Sequence, residues 1–403
     1  MRTVSEVDPR FLKIMAANLT YWTTVVRAHE EPAYSQLDPE RENLRQGVAF
    51  GLAHPDTWEA AVQLLMALMD YLESRGGWHT WSPWLEKALA TCPAEQPHWR
   101  GKLACRLGFF YRLDGRYTEA LALHREACQI AEGIGDHAEV GWATLGMADE
   151  YYYLHDQVEA EHHARSALRA FEAAGVTGPR VRAAYSLLGM LATERGEYAQ
   201  AEVAYQEALS PAWGADPVRK RVQNLMNRTI ALRYAGRLAE AHTCIEEIFA
   251  LLPKISSALM QMEAQNLAGF VYFAEQDWAA AEQAFRAMDA GYLRRFGHVS
   301  LLAEQANNLG NVALKYQAFG AAAEQLAYAA GLFRELKDDI NLGNTLGDWG
   351  TACLGLGNPA QACALWGEAL AVLQKYPDHA WASHRRQAIQ VTYEKLGCPA
   401  PTE

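Results

Sequence analysis

An alanine returns through most of this chain at a nearly constant interval, at Ala120, Ala160, Ala201, Ala241, Ala281, Ala322 and Ala362, with successive gaps of 40, 41, 40, 40, 41 and 40 residues. A register held over that many copies marks a repeat architecture, in which each copy is one supersecondary unit stacked on the next. Five residues before each Ala lies a turn position, held by Gly115, Gly196, Gly236 and Gly357 in four copies and by His155, Gln276 and Gln317 in the others. Glycine there can take the left-handed backbone that ends a helix. Twelve residues before each Ala stands a second small residue: Gly108, Ala148, Gly189, Thr229, Gly269, Gly310 and Gly350. Small side chains at both places let two helices cross with their backbones close together. In the first copy the apolar residues fall at Leu103, Leu107 and Phe110 before the turn and at Leu121, Ala127, Cys128 and Ala131 after it, a helical period on both sides. Strand-type alternation is absent. Each copy therefore reads as a helical hairpin with helices of roughly 14 to 18 residues, and the fold class as all-α.

Half of the residues are hydrophobic and 21% are charged, which excludes a mostly disordered chain. Forty-eight acidic against 36 basic residues leave a net charge of -12, which argues against nucleic acid or an anionic membrane as the main partner. Seven cysteines, with no Cys-x2-Cys pair, argue against a disulfide framework and for a reducing compartment. Arg2, Glu6, Asp8, Arg10 and Lys13 interrupt the first stretch, so no signal-peptide core is expected, and nowhere do 18 apolar residues run together. The expectation is a cytoplasmic protein.

Catalytic constellations are hard to find. There is no Gly-x4-Gly-Lys-Ser/Thr loop and no Gly-x-Ser-x-Gly elbow. His162 and His163 are adjacent on a helix and so point apart, a poor metal site. Cys353 and Cys363 sit where the repeat asks for small apolar residues, and packing is the simpler reading. Asp338 and Asp339 read as turn charges, and His384, Arg385 and Arg386 as a solvated cap. No enzyme activity, metal or cofactor is expected. Trp78, Trp81, Trp84 and Trp99 read as packing residues of an N-terminal cap. Tyr151, Tyr152 and Tyr153 spread over about 200° of one helix, so at least one must lie outside the core.

Leu107, Gly108, Tyr111 and Ala120 together give a Leu-Gly-x2-Tyr sequence followed by the later Ala, which resembles the tetratricopeptide repeat. The period is about 40 rather than the usual 34, so this chain is similar to the long repeats found in sensor regions of signal-transduction NTPases and in kinesin light chain-like adaptors. The resemblance implies a right-handed α-solenoid, a superhelix in which the first helix of each hairpin lines the concave face. The segment Asp38 to Arg45 and the hairpin around Trp84 to Leu89 are similar to the region that joins the ATPase core to the repeats in those NTPases, but the core itself is not in this sequence. Five segments are expected: an N-terminal helical segment over 1–56, a degenerate capping repeat over 57–98, seven repeats over 99–379, a capping helix over 380–397 and a tail over 398–403.

Carrying over the family's concave positions places Asn266, Phe270, Phe273, Asn307, Asn311, Asn344 and Thr351 in a groove in the C-terminal half, with Tyr152 and Arg233 further along it. An amide carries both donors and an acceptor, so a row of asparagines suits the backbone of an extended peptide; the competing reading is that such asparagines merely keep the helix soluble. Glu202 and Glu282 are expected on the opposite, convex face. The function this implies is a protein- or peptide-binding scaffold or adaptor. The alternative is a ligand-responsive sensor subunit that controls a separately encoded effector such as an NTPase, a protease or a transcription factor.

Overall fold

The computed structural model describes residues 7–29, 33–75, 80–214, 217–255, 257–377 and 379–398. Among these residues no strand occurs and the regular structure is helical. Two compact units, Met1–Arg228 and Thr229–Glu403, divide within one helix and are taken one at a time.

The N-terminal unit begins with α1 (Pro9–Arg27), α2 (Arg41–Gly51), α3 (Pro55–Ala67), α4 (Met69–Arg75) and α5 (Ser82–Ala90). Hairpins follow: α6 (Pro97–Leu113) with α7 (Tyr117–Ile134), α8 (His137–Tyr153) with α9 (Gln157–Ala173), and α10 (Pro179–Glu194) with α11 (Tyr198–Leu209). Helix α12 (Val218–Tyr234) carries the division between the units. Leu19, Val48, Leu65, Tyr71, Trp81 and Leu85 form one core with Leu103, Leu107 and Phe110, so the leading helices cover the apolar side of the first hairpin. Trp81 is fully buried and Trp84 and Trp99 pack against this core, while Trp78 lies outside the described residues.

The C-terminal unit holds α13 (Leu238–Leu251), α14 (Ala258–Ala274), α15 (Trp278–Arg286), α16 (Ala290–Arg295), α17 (Val299–Lys315), α18 (Phe319–Leu336), α19 (Asp339–Gly355), α20 (Pro359–Leu373) and α21 (Ala380–Lys395). Its last core gathers Leu346, Cys353, Trp366, Leu373, Ile389 and Tyr393, which places α21 over the final hairpin.

All seven turn positions adopt the left-handed conformation, including the three that are not glycine, with φ of 63° at His155, 66° at Gln276 and 58° at Gln317. The turn is therefore imposed by the hairpin even where the side chain opposes it, at a cost of about 1 kcal/mol or more. Asp156, Asp277 and Asn358 then cap the second helices by accepting from the backbone N–H three residues on.

At the crossing, the small residue of the first helix faces a side chain sixteen positions later. A Cβ added to Gly189 would stand 2.6 Å from the Tyr205 ring, one at Gly269 2.3 Å from Phe285, one at Gly310 2.6 Å from Leu326, and one at Gly350 2.4 Å from Trp366. In the first copy the facing residue is His124, 2.8 Å from the same point on Gly108. Large opposes glycine because the interior is close-packed and has no room for both.

Two expectations need correction. The helices are not uniform: α15 ends at Arg286 and the Asp289 carboxylate accepts from Tyr292 N at 2.9 Å to start α16, while Pro211 ends α11 after 12 residues. The cysteines are not all thiols either. Cys363 is disulfide-bonded to Cys398, with a Cα–Cα distance of 5.5 Å. Gly397 at φ 69° turns the chain after α21 back toward α20, so the residue expected to begin a tail is tied down. Cys353 stays a buried thiol.

Candidate functional site

The crossing fixes which way each first helix faces. In the C-terminal unit the small residues of α14, α17 and α19 turn into the hairpin, which leaves the positions three before and one or four after them along one side.

Asn266 is the most enclosed of the expected residues, at 6% exposure, and its amide is committed within the protein. Its Nδ2 donates to Glu304 Oε2 at 2.8 Å, and its Oδ1 accepts from Asn308 Nδ2 at 3.0 Å. Asn307 Nδ2 lies 3.4 Å from Asn308 Oδ1, and Asn307 Oδ1 lies 2.9 Å from the Thr345 hydroxyl. A polar ladder thus runs from α14 across α17 to α19. Burial pushes the Glu304 carboxyl up, and the Asn266 amide pulls it back. The pattern missed Glu304, Asn308 and Thr345; the doublet Asn307-Asn308 was the available signal, since two neighbours on a helix cannot both face a ligand.

Beyond the ladder the face is open. Asn311 hydrogen-bonds Asp348, which pairs with Arg385 of α21; burial raises the Asp348 carboxyl, and Arg385 opposes the rise. Asn344 is half-buried and makes no side-chain hydrogen bond to a described residue, and Thr351 is exposed, donating to Gly347 O at 3.1 Å. Phe270 and Phe273 are half-buried. The Arg233 guanidinium lies 5.3 Å over the Phe270 ring, and the Lys315 ammonium 5.7 Å over Phe273 and 5.5 Å over Trp278. Neither cation has a carboxylate within ion-pair distance among the described residues, and Arg233 Nε is buried without an acceptor.

Tyr152 belongs to the other unit. Its hydroxyl donates to Glu194 at 2.5 Å, and burial together with Glu194 holds its pKa high. Of the tyrosine triplet it is Tyr153 that reaches solvent, at 46% exposure, stacked on Tyr117 at 4.9 Å. Those two rings, with Phe109, Arg112, Leu113 and Lys220, line a cavity of about 360 Å³. Behind Arg112, which pairs with Asp149, the buried His124 ring lies 2.9 Å from Glu150 Oε2 and 3.1 Å from the Cys105 carbonyl. Burial opposes charge on His124, but the Cys105 and Glu150 bonds outweigh it and raise its pKa to about 9. Glu202, expected to face outward, is buried and accepts from Arg228 at 2.6 Å. Among the described residues no three His, Cys, Asp or Glu side chains gather as a metal site would require, and no helix is long and apolar enough to cross a membrane.

Residues 99–173 match the family model for the tetratricopeptide repeat. That stretch carries the tetratricopeptide repeat, and it spans α6 to α9. Among curated proteins no sequence matches it. Among solved structures it is similar to a Rap protein complexed with Competence and Sporulation Factor, at 13% identity and a TM-score of 0.55, over 96% of this chain and 99% of that one. It is also similar to aspartyl phosphate phosphatase F from Bacillus subtilis, at 17% identity and a TM-score of 0.55, over 93% and 96% of the two chains. A signal transduction ATPase with numerous domains and a tetratricopeptide repeat sensor, from Pyrococcus horikoshii, aligns at 11% identity and a TM-score of 0.56, over 98% of this chain and 66% of that one. Identities this low carry the fold alone, and the fold is all-α, built of helical hairpins like those of these tetratricopeptide solenoids. Repeats of this family bind other proteins or peptides.

Proposed function

We propose that this protein is a scaffold, not an enzyme, and that it holds an extended acidic segment of a partner protein or peptide along α14, α17 and α19. The observation that carries this reading is the pair of half-buried rings, Phe270 and Phe273, each with a cation over its face that has no carboxylate of a described residue within ion-pair distance. Two rings supply an apolar anchor, where aromatic contacts dominate binding energy. Arg233 and Lys315 then select an acidic neighbour, and the Asn344 amide has donors and an acceptor to offer a passing backbone. The solved Rap protein, alike over nearly the whole chain, is complexed with a factor of its own, which supports reading this fold as a holder of ligands. A cytoplasmic setting suits the five free thiols, whereas the Cys363–Cys398 bond is one that a reducing compartment would open.

The test is fluorescence anisotropy with labelled nonapeptides that pair one large apolar residue with Glu or with Gln two positions on. Binding of the Glu set, lost in Phe270→Ala/Phe273→Ala and weakened in Arg233→Gln/Lys315→Gln, supports the proposal. Equal binding of the Glu and Gln sets, or retention by both double variants, refutes it. A change in the radius of gyration on binding would favour the sensor alternative.

A further inference from the structure

The N-terminal unit carries a second group of cations, on a different part of the first helices and unrelated to the segment-binding face. Trp142 of α8 has two guanidinium groups over its indole: Arg106 of α6 at 4.3 Å from the ring centroid and Arg180 of α10 at 3.6 Å. Three successive first helices thus contribute one residue each. Stacking of this kind fixes the plane of a guanidinium and leaves its N–H edge free to meet two oxygens side by side.

The two carboxylates that act on these cations, Glu139 and Asp70, stand at the edge of ion-pair distance or beyond it. Arg106 has Glu139 at 4.0 Å, at the limit of an ion pair, and its Nη1 lies 3.6 Å from Cys105 Sγ. Arg180 has no hydrogen bond and no ion pair to any described residue; Asp70 and Glu139 act on it only from a distance. Burial first, and Arg106 next, lower its pKa to about 10. A partly buried guanidinium with no carboxylate in hydrogen-bond contact is costly to keep, and the Arg106 and Arg180 charges on one indole repel each other. An anion that bridged both would remove the repulsion and satisfy the open N–H edges together.

We propose that Arg106 and Arg180, stacked on Trp142, form a clamp for an oxyanion, a carboxylate or a phosphate ester carried by a ligand. Arg is suited to both because its fork matches two oxygens of either group. The Glu139 carboxylate beside Arg106 sets the clamp to accept one such group and not a strongly charged polyanion.

The clamp is tested on the full chain labelled with ¹⁵N-tryptophan, by following the Trp142 indole N–H signal, assigned through its loss in Trp142→Phe, while sodium glutarate or sodium phosphate is added at constant ionic strength. A saturable shift is expected with at least one anion, together with a rise in Tm. Arg106→Gln and Arg180→Gln should each weaken the affinity about tenfold or more, the range expected for a charge-assisted hydrogen bond. Arg180→Lys, which keeps the charge and loses the fork, should fall between; it also serves if Arg180→Gln does not fold. A peptide carrying phosphoserine and its counterpart carrying glutamate then separate the sources, the tighter of the two naming the group the clamp takes. No saturable shift with either anion up to tens of millimolar, or equal shifts in the wild type and both glutamine variants, would overturn the clamp. Neither result bears on α14, α17 and α19, so this proposal and the segment-binding one fail separately.

Discussion

Gly269 and Phe285 make the sharpest test of how these hairpins are held together. The first places no side chain at the crossing of α14 and α15, and the second fills the space, with 1% of its surface exposed. Gly269→Ala alone puts a Cβ 2.3 Å from one ring carbon of Phe285 and 2.6 Å from another, well inside contact distance. Helix propensity favours the alanine by about 1 kcal/mol, while overpacking a tight core costs about 1 to 3 kcal/mol. A net loss of up to about 2 kcal/mol is therefore expected. Phe285→Ala alone should cost about 3 to 5 kcal/mol, because it opens a cavity under a ring the structure surrounds.

The double variant should cost less than the sum of the two, by about 1 to 3 kcal/mol, because the new methyl no longer meets a ring and partly fills the space it left. The second copy already carries that arrangement, with Ala148 and Ala164 at the same two positions, both fully buried. A repeat array does not unfold in one step, so the measurement is hydrogen exchange at the amides of α14 and α15, where the local stability is read directly. Additivity of the two single effects within about 0.5 kcal/mol would refute the account, since it would mean that the two positions do not share a space.

Asn266→Ala should cost about 1 to 3 kcal/mol, since it strands the half-buried Glu304 and the buried Asn308, whereas Asn344→Ala should stay within about 0.5 kcal/mol; equal effects in urea unfolding would remove the ladder from the stability of the unit. His124 is raised from its ordinary value of 6.5 to about 9, so the stability it contributes is complete below pH 6.5 and lost as the pH rises through about 9. An imidazole NMR titration with a midpoint near 6.5, or a Tm that does not fall between those two pH values, would contradict this. Opening the Cys363–Cys398 bond, by reductant or Cys398→Ser, frees a loop of 35 residues and should cost at most about 4 kcal/mol. The loss should be confined to the exchange of α20 and α21, and loss spread into α14 would argue against nearest-neighbour stability.

Much of the fold could be read from two columns of small residues. The interval between Gly108 and Ala120, repeated down the chain, places both helices and the turn between them, because only a hairpin of fixed length keeps such positions opposed. The pattern could not supply exceptions set by single side chains. Asp289 restarts a helix through a capping bond, which a hydrophobic period does not register. Cys398 meets Cys363 through a left-handed glycine, a three-dimensional coincidence that counting cysteines cannot anticipate.

The candidate site was legible in position and less so in chemistry, and the reason is physical. A face is set by periodicity, so Phe270, Asn311 and Asn344 could be placed on one. What an amide does there depends on its neighbours across the next helix. Asn266 spends its hydrogen bonds on Glu304 and Asn308, and Asn307 its oxygen on Thr345, some 40 residues away in sequence, where one repeat meets the next. The same reasoning applies to the arginines of the N-terminal unit: Arg106 and Arg180 look like ordinary surface residues until their helices bring both onto Trp142. In a solenoid the hairpin is written within one period, whereas binding chemistry is written between periods. Residues that work as a pair therefore stand about one repeat apart, or two as Arg106 and Arg180 do, and a single copy read alone shows only half of each pair.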